Sequence, residues 1–236
     1  MQVTSCTSCA LIAMLATSTA ANAALVKLHM QQFAVDGNGG LPGTTTWQLF
    51  AEFDDAGDQL TSVGGAYPTV GAIVSTGGFY QNPFGGPMSA HINPAIFGIF
   101  PTLYYDSWVT IGGYDTWDSA TLVSTGLNTT AFEAGGDFFI TNGEWTRPQN
   151  DPYAFGQVLA GLPNWHVLVG QFTTFGYGQP SAPWGQLNLS GYSTGFLAGE
   201  QVPWSVNEVM FGTPVPAPAT MALLPLLGLA ARRRRR

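Results

Sequence analysis

Between Ala24 and Thr213 no run of eleven residues spaces its apolar side chains as a helix requires, whereas apolar and polar residues alternate repeatedly. A period of two sends successive side chains to opposite faces of an extended chain, so the pattern commits this chain to β-strands. Trp47, Leu49, Ala51 and Phe53 share one face, opposite Gln48 and Glu52. Leu103, Tyr105, Val109 and Ile111 line up around Ser107, and Leu187 and Leu189 flank Asn188. Val167 and Val169 lead to Gln171, opposite Leu168 and Phe172. Shorter candidates are 25–33, 60–63, 72–75, 121–124, 138–141 and 206–211. About ten strands separated by Gly, Pro, Asn and Asp predict an all-β fold, an antiparallel β-sandwich of jelly-roll-like form. The stretch 77–101, rich in Gly, Pro and aromatics, is too long for a plain connection; it is expected to pack across a sheet as a cover or to carry function. No tandem repeat or break in composition divides the body, which predicts one domain over 24–213.

Charge is scarce and unevenly placed. Charged residues are 9% of the chain and hydrophobic ones 45%, enough to build a core and to exclude a charge-rich disordered chain. Five of the seven basic residues are Arg232 to Arg236, so the body holds only Lys27 and Arg147 against all fourteen acids, a formal −12. Such a body excludes nucleic-acid binding by phosphate neutralisation. With one lysine it contains no phosphate-cradling Walker loop either.

Both ends read as addresses. Residues 10–16 form a short apolar run, followed by Ala21-Asn22-Ala23, which satisfies the small-x-small rule for cleavage before Ala24. A signal peptide over 1–23 is therefore expected, with the Sec machinery and signal peptidase as partners, although no Lys or Arg precedes the apolar run. Cys6 and Cys9 would leave with it, and the mature chain would then lack thiols, disulfides and cysteine metal ligands. At the other end Val215, Pro216, Ala217, Pro218, Ala219 and Thr220 lead into an apolar stretch that ends at Ala231. Arg232, Arg233, Arg234, Arg235 and Arg236 follow as a topology signal. As a helix, 217–231 would span roughly 22 Å, short of the ~30 Å hydrocarbon core.

This proline motif, short apolar span and terminal arginine cluster resembles the PEP-CTERM sorting signal of Gram-negative envelopes. The resemblance implies a sorting segment over 214–236 containing a short transmembrane helix. It also implies transient inner-membrane anchoring, processing by an exosortase-like transpeptidase, and a secreted or cell-surface destination. Ala217 stands where the family carries its name-giving Glu. Within the body, the run from Gly78 to Gly86, Asn93-Pro94-Ala95 and the run from Tyr105 to Gly112 resemble a recurrent type of secreted protein of planctomycete-like bacteria. The similarity extends weakly to the run from Val167 to Thr173. That resemblance implies an extracellular sandwich and adds no site.

No catalytic constellation emerges. Gly191-Tyr192-Ser193-Thr194-Gly195 matches a nucleophile elbow, but no helix is expected after it, and His29, His91 and His166 all precede Ser193, against the order that elbow requires. Glu52 and Asp54 share a strand face, as glycosidase carboxylates do, without the further Glu that would complete the set; a solvent-facing strand end is the expectation. Asp54, Asp55 and Asp58 in the following turn offer oxygen ligands to a structural calcium ion, as do Asp115 and Asp118, without EF-hand spacing. No other cofactor is expected. The three histidines stand 62 and 75 residues apart, and read as singletons. Trp145 and Trp184 sit in turn contexts, where exposed rings could stack on sugars. The resulting expectation is a non-enzymatic envelope or extracellular-matrix protein, sorted by an exosortase-type system and associated with exopolysaccharide. A carbohydrate-binding module is the alternative and an extracellular hydrolase the third reading.

Overall fold

A computed structural model describes residues 25–36, 38–176, 182–194 and 200–212. The fold is mostly β, with two antiparallel sheets. One sheet orders β1 (Leu25–Val35), β2 (Thr44–Phe53), β7 (Trp165–Phe175) and β4 (Trp108–Val109) side by side. The other orders β5 (Val123–Thr125), β6 (Phe138–Thr146), β3 (Gln59–Val74), β8 (Trp184–Thr194) and β9 (Gln201–Phe211). Among the described residues the α-helical content is one turn, α1 (Thr130–Glu133).

The main apolar cluster draws on both sheets. Leu49, Ala51 and Phe53 of β2 and Val167, Val169 and Phe172 of β7 join Leu60, Val63 and Ile73 of β3 and Leu187 and Leu189 of β8. A hydrogen bond from Trp145 Nε1 in β6 to Thr110 O, 2.7 Å long, ties the second sheet to the chain just beyond β4. The opposite face of the first sheet is covered as well. Phe50, Trp108 and Leu168 pack there against Ile92 and Leu103, with Ile96, Phe97 and Phe100 at the margin. The stretch 77–101 is thus a packed cover, built from 3-10 turns at Ser89–His91 and Pro94–Ile96 and continuing into a third at Pro101–Tyr105. The buried Asp106 carboxylate holds one end of it, accepting from Asn82 N at 2.6 Å and Gly86 N at 3.2 Å. Burial on both faces explains why β2 is nearly free of exposed residues.

Three expectations about strands change. The segments 60–63 and 72–75 belong to the single sixteen-residue β3, interrupted by a register shift between Ala66 and Gly71. Most of 103–111 is not a strand: Pro101 starts a 3-10 turn, where its fixed φ and missing N–H cost nothing, and the strand pairing with β7 covers Trp108 and Val109, with Thr110 N and Gly112 N still donating to β7 carbonyls. The even alternation expected along β7 also fails. Leu49 pairs with Gly170 but the next residue, Phe50, pairs with Leu168, leaving Val169 as an extra residue in β7. A one-residue slip exchanges the two faces of a strand. Val167 and Val169 therefore enter the main core while Gln171, Leu168 and His166 pair with β2 residues of the covered outer face.

The expected transmembrane helix, and with it the route through transient inner-membrane anchoring, is corrected: among the described residues no helix is long and apolar enough to cross a membrane. Its residues 217–231, the proline motif at Val215 to Thr220, the five arginines, and the cleavage residues Ala21, Ala23 and Ala24 lie outside the described residues.

Candidate functional site

Strand order makes neighbours of residues far apart in sequence. His29 pairs with Phe50 and Lys27 with Glu52 between β1 and β2, while Glu52 pairs with His166 between β2 and β7. Because His166 lies beyond the Val169 bulge, it shares the covered face with Glu52 instead of pointing into the main core. Glu52 Oε2 is 3.4 Å from His29 Nδ1, 3.7 Å from His166 Nε2 and 3.3 Å from Lys27 Nζ. Its other oxygen accepts from Asn164 Nδ2 at 2.7 Å. The two imidazoles meet edge to face with centroids 5.1 Å apart, and His29 stacks on Phe50. Glu52 and His166 are almost wholly buried and His29 partly so.

The surroundings lower the pKa of all three groups. Burial pushes the His29 imidazole below its ordinary pKa, helped by His166 and opposed by Glu52. Burial likewise lowers His166 against the pull of Glu52. Burial alone would raise Glu52, but the Asn164 hydrogen bond, the bond and charge of Lys27 and the charge of His29 outweigh it and leave the carboxyl below its usual value. A carboxylate beside two imidazoles whose burial disfavours their charged form is a donor set that could hold a metal ion. The expectations of a solvent-facing Glu52 and of unconnected histidines are therefore both corrected. Among the described residues this is the cluster whose ligand atoms converge, whereas the calcium ligands expected in the β2–β3 turn have other surroundings. Asp54 and Asp55 are exposed, Asp55 Oδ1 accepts from Gly57 N at 2.7 Å, and Asp58 is buried.

A second feature lies on the five-stranded sheet. A groove of about 460 Å³ crosses its strands, with Ser62, Asn142, Glu144, Asn188, Ser190 and Ser205 among its walls. These side chains alternate with core residues: Glu144 precedes buried Trp145, and Asn188 lies between buried Leu187 and Leu189. Gly64 forms part of the floor. A Cβ there would lie 2.4 Å from Gly143 O, so only glycine allows β3 and β6 to approach this closely. The arch of β3 between the displaced pairings supports one wall, where Asn188 Nδ2 donates to Thr69 Oγ1 at 2.7 Å and Gln186 Nε2 to Val70 O at 2.9 Å. Asn188 Oδ1 in turn accepts from Glu208 N, and Ser62 Oγ donates to Glu144 Oε2.

The aromatic residues expected to stack on sugars are elsewhere. Trp145 is fully buried, ring-stacked with Phe138, because its place in β6 turns it inward. Trp184 is half-buried at the start of β8, and the tryptophan that does stand in solvent is Trp117, 72% exposed. Ser193 is not on an elbow: it sits within β8, 3% exposed, its hydroxyl donating to Val202 O at 3.3 Å. No aspect of composition marked the groove, since Ser and Asn on strands read as ordinary solvent-facing positions. For the histidine pair, the available signal was His166 within the apolar run of β7, which needed the register to be interpreted. Comparison of the chain with protein-family profiles, with curated proteins and with solved structures finds no match in any of the three.

Proposed function

We propose that this protein is a non-catalytic binding module for a neutral, polyhydroxylated ligand of the oligosaccharide class, using the groove across the five-stranded sheet. The observation that carries this reading is the lining. Hydroxyls and carboxamides both donate and accept, which suits a ligand whose own hydroxyls do the same. The volume falls within the range of small-ligand sites. Among the described residues Glu144 is the one carboxylate in the lining, where glycoside hydrolysis calls for a pair. The formal −12 of the body disfavours polyanionic glycans. The same reading takes the two sheets as leaves of a sandwich, supported by the core cluster they share.

The test is calorimetric or NMR titration of the full chain with neutral oligosaccharides of glucan, mannan and galactan type. Specific binding that weakens in Asn188→Ala and Glu144→Gln is expected. Silence across the set, or binding indifferent to both substitutions, would sink the proposal.

A further inference from the structure

We propose that His29, Glu52 and His166 form a binding site for one divalent transition metal ion of the zinc type, clasping β1, β2 and β7 together. The site is on the other sheet from the groove and does not depend on it.

Geometry is the first argument. The ligand atoms all lie within 4.8 Å of one another. In a tetrahedral site with bonds near 2.0 Å, neighbouring ligand atoms stand about 3.3 Å apart. The two separations from Glu52 Oε2, 3.4 Å to His29 Nδ1 and 3.7 Å to His166 Nε2, are already near that value. The third separation, between the imidazole nitrogens, is within 4.8 Å, and His29 lies on β1 at the sheet edge, where a small shift meets least resistance.

The second argument is what the imidazoles otherwise lack. His29 Nδ1 and His166 Nε2, the nitrogens nearest Glu52 Oε2, are both buried and make no hydrogen bond among the described residues. A buried polar atom without such a partner is costly, so two of them facing one carboxylate need an explanation. Coordination supplies one, because it uses a lone pair that the interior leaves idle.

Third, the surroundings resemble a ligand's outer shell. Asn164 fixes Glu52 Oε1 and thereby turns Oε2 towards the histidines. It does so from a left-handed backbone position, φ 69°, which asparagine tolerates better than most residues. Phe50 walls the site on the apolar side. Two nitrogens and one carboxylate suit zinc and its neighbours, while calcium and magnesium demand oxygen cages. Lys27 competes, since its ammonium occupies the same Oε2 from an exposed stem and must swing away when a dication enters.

The experiment is a zinc titration of the full chain against a chromophoric chelator, in a Cys6→Ser, Cys9→Ser background so that the two thiols contribute nothing. One equivalent should bind, raise the melting temperature, and be replaceable by cobalt with a visible spectrum free of thiolate charge transfer. His29→Gln and His166→Ala should each lose about 100-fold in affinity, and Asn164→Gly, which keeps the backbone conformation, about tenfold. Lys27→Met should bind about tenfold more tightly, a gain that a merely structural role for this cluster does not produce. His91→Gln, at an exposed position away from the cluster, should bind as the parent does. Should His166→Ala fail to fold, His29→Gln and Lys27→Met decide the matter alone. Absence of stoichiometric zinc binding, or unchanged affinity in His29→Gln, overturns the proposal whatever the groove binds.

Discussion

Arg147 and Asp151 form a buried ion pair, Nη1 to Oδ1 3.0 Å, four residues apart just beyond β6. The guanidinium also donates to Thr121 Oγ1 and Asp118 O and lies over the Tyr153 ring. It is one of only two basic residues in the acidic body, and a knot of three chain segments depends on it. Replacing Arg147 by Met leaves Asp151 without its counter-charge in a place water scarcely reaches. The expected loss is about 3–5 kcal/mol, read from urea unfolding. Arg147→Lys should recover only part of it, because an ammonium cannot span the same acceptors as a planar fork.

Asp106 predicts a dependence on pH. Burial pushes its carboxyl up to about 7, against the lowering by the backbone N–H groups of Asn82, Gly86 and Ser107. The folded pKa then exceeds the unfolded one, so the folded state binds the proton more tightly. The contribution is complete below about pH 4 and is lost as pH rises towards 7, about 4 kcal/mol across the window. Urea midpoints should fall between pH 5 and pH 8, and the Asp106→Asn protein should lose that part of the slope. A parallel slope in both proteins would contradict this account.

Trp145 separates core from groove. Its neighbour Glu144 faces the groove while its own ring is buried and its N–H is bonded to Thr110 O. Trp145→Phe should cost about 2 kcal/mol through the unsatisfied carbonyl and the smaller ring. Affinity for an oligosaccharide should be unchanged, since the ring never meets the ligand. Loss of binding at full foldedness would return the aromatic-stacking reading.

Gly64 tests the groove floor. A Cβ at that position meets Gly143 O at 2.4 Å and Glu144 Cβ at 2.7 Å, contacts that backbone cannot relieve by a rotamer change. Gly64→Ala should destabilise by about 1–3 kcal/mol and weaken ligand binding together with it. Thermal unfolding and a binding titration on the same sample check both, and an unperturbed Gly64→Ala protein would show that β3 and β6 can part at no cost.

Period-two patterning in the sequence is enough to establish a β protein and to find most strands, because alternation is a local consequence of extended backbone geometry. Leu49, Ala51 and Phe53 are core for the reason their spacing suggests. It could not separate Phe50 and Glu52 from solvent, since that depends on whether a cover lies over the second face. The cover is built from 92–103, forty residues or more further along the chain.

What the sequence determined by itself is thus the β character, the acidic sign of the body and the length of a covering segment, all properties of composition or near neighbours. Tertiary structure alone decided which residues act together. His29, Glu52 and His166 meet because β1, β2 and β7 are adjacent and because one extra residue, Val169, reverses the facing of the strand beyond it. Register is set by pairing between strands more than a hundred residues apart, and a single-residue slip inverts every side chain that follows. No local pattern can encode that outcome.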